Sequence, residues 1–407
     1  MRILFVTSWF EPDSGAASAR FSQLAHYLAS RGHQVTVLAP MPHHPQGRIA
    51  DGYRGAWTRV ETRGQVRVVR VWLWASPSPR IRRRLLTQIS FTIGALLRGW
   101  SLPGPDLLLV ESQPMPTALA GKLLARWFRA PYVLSVSDLW PDHLLGIGAM
   151  QESHAVYRLA RSVVNSLYRH ARAIVTISPE WARRIAERIR PAPEMHTLLF
   201  MVDLRRLRPD LCGRDFRIRH ALQDHRIVAC IGTFATQYDF DILLQAARRL
   251  EPRGDLLLLL IGDGSQRDIL RGPAANVRLI SWLTSEDIPS AWAAADISCF
   301  ALRDHELYQG TLPARLYESL ASGTPVVAAC AGESARIIRD SGGGIAVSPG
   351  DVAGFTDAIV QLLDDEELRQ RCGRNGRAWA RDNVDVEVQC LRYEQILLRA
   401  AGKEEET

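Results

Sequence analysis

Gln309-Gly-Thr-Leu-Pro-Ala-Arg-Leu-Tyr-Glu-Ser-Leu-Ala-Ser-Gly-Thr-Pro-Val-Val327 carries its own punctuation. Pro313 suits the first turn of a helix and Gly323 the residue just past its last turn. The run therefore reads as a polar loop, a short helix and a strand from Pro325 to Ala329. Gly310, Thr311 and Leu312 would lie just ahead of the helix, with free backbone N–H groups around Thr311 and Leu312 and the positive dipole end behind them. Such a place attracts phosphate. Arg315 adds a cation, and Glu318 stands within the same helix, where a carboxylate can accept hydrogen bonds from a ribose diol. One segment thus offers a diphosphate cradle and a sugar-hydroxyl acceptor. The same residues also fit a plain connection and a solvated glutamate, because a lone helix start is a weak signal.

Working outward, short β-branched runs alternate with helical stretches on both sides of this segment. Ile3–Thr7, Gln34–Ala39, Val66–Trp72, Leu107–Val110, Tyr132–Val136 and Ala173–Ile177 read as strands in the first half. Arg226–Ile231, Asp255–Ile261, Val277–Ser281, Asp296–Phe300, Pro325–Ala329 and Gly344–Val347 repeat the pattern in the second. This is the signature of α/β architecture with doubly wound parallel sheets. We expect two such domains, 1–200 and 201–384, facing each other across a cleft, with ligands at the carboxyl ends of the strands that line it. Pro191 and Pro193 mark 191–210 as a linker, and an amphipathic helix near 385–401 closes the chain.

The 407 residues suffice for two cores, and 23% charged with 47% apolar residues describes a globular protein. No apolar run reaches the roughly 18 residues of a spanning helix, and the opening Met-Arg-Ile-Leu-Phe-Val-Thr-Ser reads as a strand and not as a signal peptide. Six scattered cysteines with no C-x-x-C spacing argue against a disulfide framework or zinc site, and for a reducing cytoplasm. A dinucleotide reading fails after the first strand: Ser8-Trp-Phe-Glu-Pro-Asp-Ser-Gly-Ala-Ala-Ser-Ala-Arg20 holds one glycine, Gly15, where G-x-G-x-x-G needs three. The Ser14-Gly15-Ala16 turn still admits a bound group close to backbone, or is an ordinary strand-to-helix turn.

The run Pro313, Arg315, Leu316, Glu318, Ala321, Gly323, Pro325, Val326 resembles the nucleotide-binding segment of family 4 retaining glycosyltransferases, whose fold is GT-B. It is most similar to the branch that builds bacterial surface polysaccharides (O-antigen, colanic acid, capsule), with Arg315 in place of lysine. The likeness extends over nearly the whole chain. Pro12, Gly15, Arg20, Gly32–Leu38, Pro45–Gly47, Gly52–Gly55, Arg67–Trp72, Asp138-Leu-Trp-Pro141, Ile261–Gly264, Gly332–Ser334 and Ala346–Asp351 follow it in order. Departures are equally plain. Gly232 is followed by Thr233-Phe-Ala-Thr-Gln237-Tyr, with no cation until Arg248, and the first carboxylate of the family's E-x7-E pair falls on Gly310.

The resemblance implies transfer of a sugar from a nucleotide-sugar, a UDP-sugar by expectation, to a lipid-linked saccharide with retention at the anomeric carbon. It implies a donor site at Gly15, Gly232, Thr233, Gln237, Arg303, Gly310, Thr311, Leu312, Arg315 and Glu318, a base against Ile280, Trp282 and Leu283, and a last helix packing back on the first domain. No metal or other cofactor is expected. Asp138, after the strand Tyr132–Val136, is the candidate base or acceptor-orienting group; capping of the turn into Trp140-Pro141 is its structural alternative. A 2-epimerase of the same architecture and a non-catalytic assembly subunit remain open alternatives.

From Thr62 to Pro105 eight arginines occur without an acidic residue. Arg80, Arg82, Arg83 and Arg84 precede Leu85, Ile89 and Ile93 at helical spacing, with Trp72, Trp74 and Trp100 near the ends. That is the pattern of an interfacial helix on an anionic membrane, and also of a buried helix with solvated arginines. No groove-reading motif accompanies the charge, so nucleic acid is not expected. The expected location is the inner face of the cell membrane, reached from the cytoplasm.

Overall fold

The computed structural model describes all residues but Ser14, Pro45, Pro79, 143–144, 146–149, 271–273 and 404–407, together with the side chains of Ala16 and Ile81. The chain divides into two compact units, one comprising Met1–Leu199 with the chain from Gln389 onward, the other Phe200–Val388.

The first unit is built on β1 (Arg2–Val6), β2 (Gln34–Pro40), β3 (Thr58–Arg63), β4 (Val66–Val71), β5 (Leu107–Glu111), β6 (Tyr132–Val136), β7 (Ala173–Thr176) and β8 (Glu194–Thr197). Their order across the sheet is β3-β4-β2-β1-β5-β6-β7-β8, parallel throughout except for β3 against β4. The helices are α1 (Ala16–Ser30), α2 (Ile81–Gly99), α3 (Met115–Phe128), α4 (Ala155–His170) and α5 (Pro179–Arg188). Strands β5, β6 and β7 are buried at every residue, which is why they read as unbroken apolar runs.

The second unit carries β9 (Arg226–Ile231), β10 (Leu256–Ile261), β11 (Val277–Ile280), β12 (Ile297–Ala301), β13 (Val326–Ala329) and β14 (Gly344–Val347), all parallel in the order β11-β10-β9-β12-β13-β14. Its helices are α6 (Arg214–Arg219), α7 (Phe240–Leu250), α8 (Ile288–Ala294), α9 (Ala314–Ser322), α10 (Gly332–Ser341), α11 (Val352–Asp364) and α12 (Glu366–Asn383). Trp292 of α8 and Leu316, Tyr317 and Leu320 of α9 fill its core at 1% exposure or less. The last helix, α13 (Val386–Ala400), passes from the second unit into the first. There Glu394 lies 2.7 Å from His33 Nε2 and accepts from Arg31 Nε, Arg399 pairs with Glu194, and Lys403 pairs with Asp106 at 3.0 Å.

Two strands stand where the sequence indicated none. β3 reads Thr-Arg-Val-Glu-Thr-Arg and β8 reads Glu-Met-His-Thr, and both are edge strands of the first sheet. An edge strand buries little and needs no apolar run, so periodicity passes over it. β8 corrects the linker at 191–210, which holds a ladder partner of β7.

Candidate functional site

In the second unit the expected donor residues gather at the carboxyl ends of β9, β11 and β12. Gly232 follows β9 with φ 130°, and a Cβ there would come within 3.0 Å of the Arg315 Nη2. That approach is possible because Arg315 runs beneath the turn. It is 3% exposed, donates to the Thr233 carbonyl at 2.8 Å and to the Cys230 Sγ, and lies 4.3 Å over the Tyr238 ring. The Cys299 thiol hydrogen bond and the nearby guanidinium together hold the Cys230 thiol below its ordinary pKa, while its partner Cys299 is pushed up. Arg315 therefore braces the Gly232–Thr233 turn from below. Arg303, by contrast, is exposed and is tied to the same loop by Nε to the Thr236 carbonyl at 2.9 Å and by its own N–H to the Gln237 carbonyl at 3.0 Å.

The helix read from the opening segment is present as α9, with Pro313 at its N-cap and Gly323 left-handed at its C-cap. One detail of the cradle is corrected. The Thr311 N–H is not free, because it donates to the Tyr308 carbonyl at 3.0 Å in the turn that precedes the helix. The loop is further pinned by α10: the Glu333 N–H donates to the Gln309 carbonyl at 2.8 Å, and the Ser334 hydroxyl to the Thr311 carbonyl at 2.7 Å. Gly332 allows this, since a Cβ there would meet the Gln309 carbonyl oxygen at 2.1 Å. Gly310 and Leu312 are buried in that loop.

Glu318 is partly buried, and its Oε2 accepts from the Trp292 indole N–H at 3.1 Å. Burial raises its pKa against the opposing pull of Trp292, Arg315 and Arg206. Arg206 was not foreseen. It donates to the Ser285 carbonyl, and its charge acts on Glu318 although more than a hundred residues separate them. Arg267 was also missed; it donates to the Gly262 carbonyl at 2.8 Å and to the Ser281 hydroxyl at 3.2 Å. Its place just after Gly262-Asp-Gly264 was the available signal. Of the expected base-contact residues, Trp282 is 52% exposed and Leu283 partly buried, while the Ile280 carbonyl is taken by the Gly262 N–H at 3.0 Å.

In the first unit the carboxyl ends of β1, β5 and β6 hold a buried polar cluster. Arg20 of α1 is 6% exposed and its Nη2 donates to the Ser137 hydroxyl at 2.6 Å, beside the exposed Asp138. The Asp138 carbonyl accepts from the Trp140 N–H and from Gln113 Nε2, so its backbone forms the expected turn. Glu111 is 2% exposed, accepts from the Thr7 hydroxyl at 2.6 Å and the Ser8 N–H at 3.3 Å, and is pushed up to about 7 by burial. Gly15 is the N-cap of α1, next to Ser14, which lies outside the described residues, as does Pro45.

The arginine-rich stretch forms α2 with Arg80 at its N-cap. Phe91 and Ala95 join the core, whereas Arg82, Arg83 and Arg84 are exposed and Leu85, Leu86, Ile89, Ile93 and Leu97 are 43–64% exposed. The face continues onto neighbours: Leu119, Leu123 and Trp127 of α3, with Trp127 in ring contact with Trp100, and Val156 and Leu159 of α4. Among the described residues no helix is long and apolar enough to cross a membrane.

Compared with known proteins, residues 15–199 match the Glycosyl transferase 4-like domain and residues 225–365 the Glycosyl transferases group 1 domain. The putative colanic acid biosynthesis glycosyl transferase WcaI of Escherichia coli K12 is 23% identical over 89% of this chain and 92% of its own. A GDP-mannose-dependent alpha-mannosyltransferase of Mycobacterium tuberculosis is 24% identical over 93% of each chain. Among solved structures, sucrose-phosphate synthase from Thermosynechococcus elongatus superposes with a TM-score of 0.80 at 18% identity, covering 99% of this chain and 100% of that one.

Proposed function

Because the chain belongs to the family 4 type of glycosyltransferase, with a 4-like domain followed by a group 1 domain and the GT-B fold, we propose that it moves a sugar from a nucleoside diphosphate donor to a lipid-linked saccharide in surface polysaccharide assembly. The observation that carries the donor half is the arrangement at the carboxyl ends of β9 and β12. The Gly232–Thr233 turn is braced by Arg315, Arg303 stands exposed beside it, and α9 brings Glu318 into a partly buried position. In this scheme Glu318 accepts from the ribose diol. The diphosphate lies along the Gly232–Thr233 turn and the α9 start, and Arg303 neutralises it. These oriented donors stabilise charge as it develops on the leaving diphosphate, so the scheme draws on no metal ion. Transfer proceeds with retention, and Asp138 orients the acceptor hydroxyl.

Calorimetry with UDP, GDP, ADP and TDP tests the donor half. UDP is the expected diphosphate, and the mycobacterial relative, by its name, makes GDP the alternative to set against it. One diphosphate should bind tightly to the wild type and at least tenfold more weakly to Glu318→Ala. Equal binding by both proteins would remove Glu318 from the site.

The acceptor half rests on the apolar face of α2, α3 and α4. Exposed leucines, isoleucines and two tryptophans, with arginines at the α2 N-terminus, fit the interfacial layer of an anionic membrane. We place the enzyme on the cytoplasmic face of the cell membrane, where a lipid-linked saccharide would present itself. Flotation with phosphatidylglycerol vesicles at low salt should carry the protein upward; protein left at the bottom would end the attachment.

A further inference from the structure

Trp57 is 75% exposed, more than any other large apolar side chain described. It is not alone. Its ring lies 4.9 Å from that of Trp72, tilted by 55°, and the Trp72 N–H donates to the Trp57 carbonyl at 2.8 Å. The pair is one rung beyond Thr58↔Val71 in the antiparallel ladder of β3 and β4, so it caps the carboxyl end of β4 at the edge of the sheet.

The register separates this pair from the apolar helical face. Val69, Val71 and Leu73 pack into the cluster that holds Phe91 and Ala95 of α2. Alternate residues of a strand point to opposite sides, so Arg70 and Trp72 take the other face of the sheet. Arg70 confirms the side: it is fully buried, pairs with Glu61, donates to the carbonyls of Pro40 and Glu11, and lies over the Phe10 ring. Glu11 and Phe10 belong to the loop that follows β1. The tryptophan pair therefore stands on the face away from α2, the face on which Arg70 reaches the loop after β1. Trp57 and Arg59 share one face of β3, and Arg59 is exposed with its guanidinium held 4.7 Å over Tyr53.

An exposed indole face beside a fixed guanidinium matches a pyranose, whose C–H face packs on an aromatic ring while its hydroxyls accept hydrogen bonds. We propose that Trp57 and Trp72 form a stacking platform for a sugar ring of the acceptor, with Arg59 donating to its hydroxyls. This rests on the reading that the acceptor is a saccharide. The side of the sheet on which the pair stands argues against lipid as its occupant.

Saturation-transfer NMR and fluorescence titration with methyl α-mannoside, methyl α-glucoside, mannobiose and maltose test the platform. The wild type should show saturable binding of at least one of these probes. Trp57→Ala should weaken it at least tenfold and Trp57→Phe by much less, with melting temperature and diphosphate binding unchanged. No saturable binding by the wild type, or binding intact in Trp57→Ala, overturns the proposal. Loss of vesicle flotation in Trp57→Ala without any change in sugar binding overturns it as well, by assigning the pair to the membrane. Failure of the diphosphate calorimetry with sugar binding still lost in Trp57→Ala removes the donor reading and leaves the platform standing.

Discussion

Arg315, in the first turn of α9, is 3% exposed, whereas Arg82, Arg83 and Arg84, in the first turn of α2, are exposed. Both helices carry arginine in the first turn and continue with apolar residues at helical spacing. The difference comes from what each meets. Arg315 finds a carbonyl, a thiol and an aromatic ring supplied by β9 and the loop after it, and these replace the water that a buried guanidinium gives up. Among the described residues the α2 arginines meet nothing comparable, and the leucines and isoleucines that follow them are exposed too. An arginine's role is thus set by the acceptors its neighbours offer, and sequence spacing is silent about those.

The sharpest way to break this contrast is to remove the buried cation. Arg315→Met keeps the bulk but takes the Arg315 donor from the Thr233 carbonyl and leaves the Cys230 thiol with Cys299 alone. Hydrogen bonds to a charged group are worth about 1.5–3 kcal/mol each, so a loss near 3 kcal/mol is expected in denaturant titration. Diphosphate affinity should fall with it as the Gly232 turn loosens. Arg83→Met should stay within about 0.5 kcal/mol of the wild type. Equal stability of the two variants would show that Arg315 does not brace the turn.

How far the sequence reached can be judged at the same places. The α/β alternation, the places of the buried strands along the chain and the punctuation of α9 by Pro313 and Gly323 were all legible, because burial on both faces and helix termini leave local marks. The edge strands β3 and β8 left none. Within the site, Gly232 lies against Arg315, and Arg303 is tied to the loop that follows Gly232. The commitment of the Thr311 N–H to Tyr308, the burial of Arg315, and the approach of Arg206 to Glu318 depend on contacts between distant segments. The outer face of α2 was legible from its period, but its continuation across Leu119, Leu123 and Trp127 of α3 was not, since only the fold places those helices side by side.

Glu111 extends the comparison to a buried carboxylate. Its neighbours are Thr7 and Ser8 just after β1, Arg20 of α1 and Tyr393 of α13, and burial outweighs them all, lifting its pKa to about 7. A carboxyl raised in the folded state binds its proton more tightly there than in the unfolded chain. Its contribution to stability is therefore fully present below the unfolded value, near 4.3, and is lost as pH rises through about 7. At 1.36 kcal/mol per unit, the interval from near 4.3 to about 7 makes the full loss about 4 kcal/mol. Glu111→Gln keeps an acceptor for Thr7 and Ser8 but cannot ionise. The stability of the wild type relative to this variant should fall between pH 5 and pH 8, and a constant difference would show that Glu111 does not titrate in this range.

On the exposed side of the contrast, single changes should move membrane partition and leave the fold alone. Ile93, 54% exposed on α2, enters the apolar layer if the face is an interfacial one, so Ile93→Asp should weaken vesicle binding by about 2 kcal/mol, roughly thirtyfold. Arg84→Gln removes one charge worth about 1 kcal/mol near an anionic surface, or roughly fivefold. The two should differ in their response to salt. The arginine effect fades toward 0.5 M salt, where screening falls within a few ångströms, while the isoleucine effect persists. If Ile93→Asp also became neutral at high salt, the apolar face would not be inserted, and the arginines alone would hold the protein to the surface.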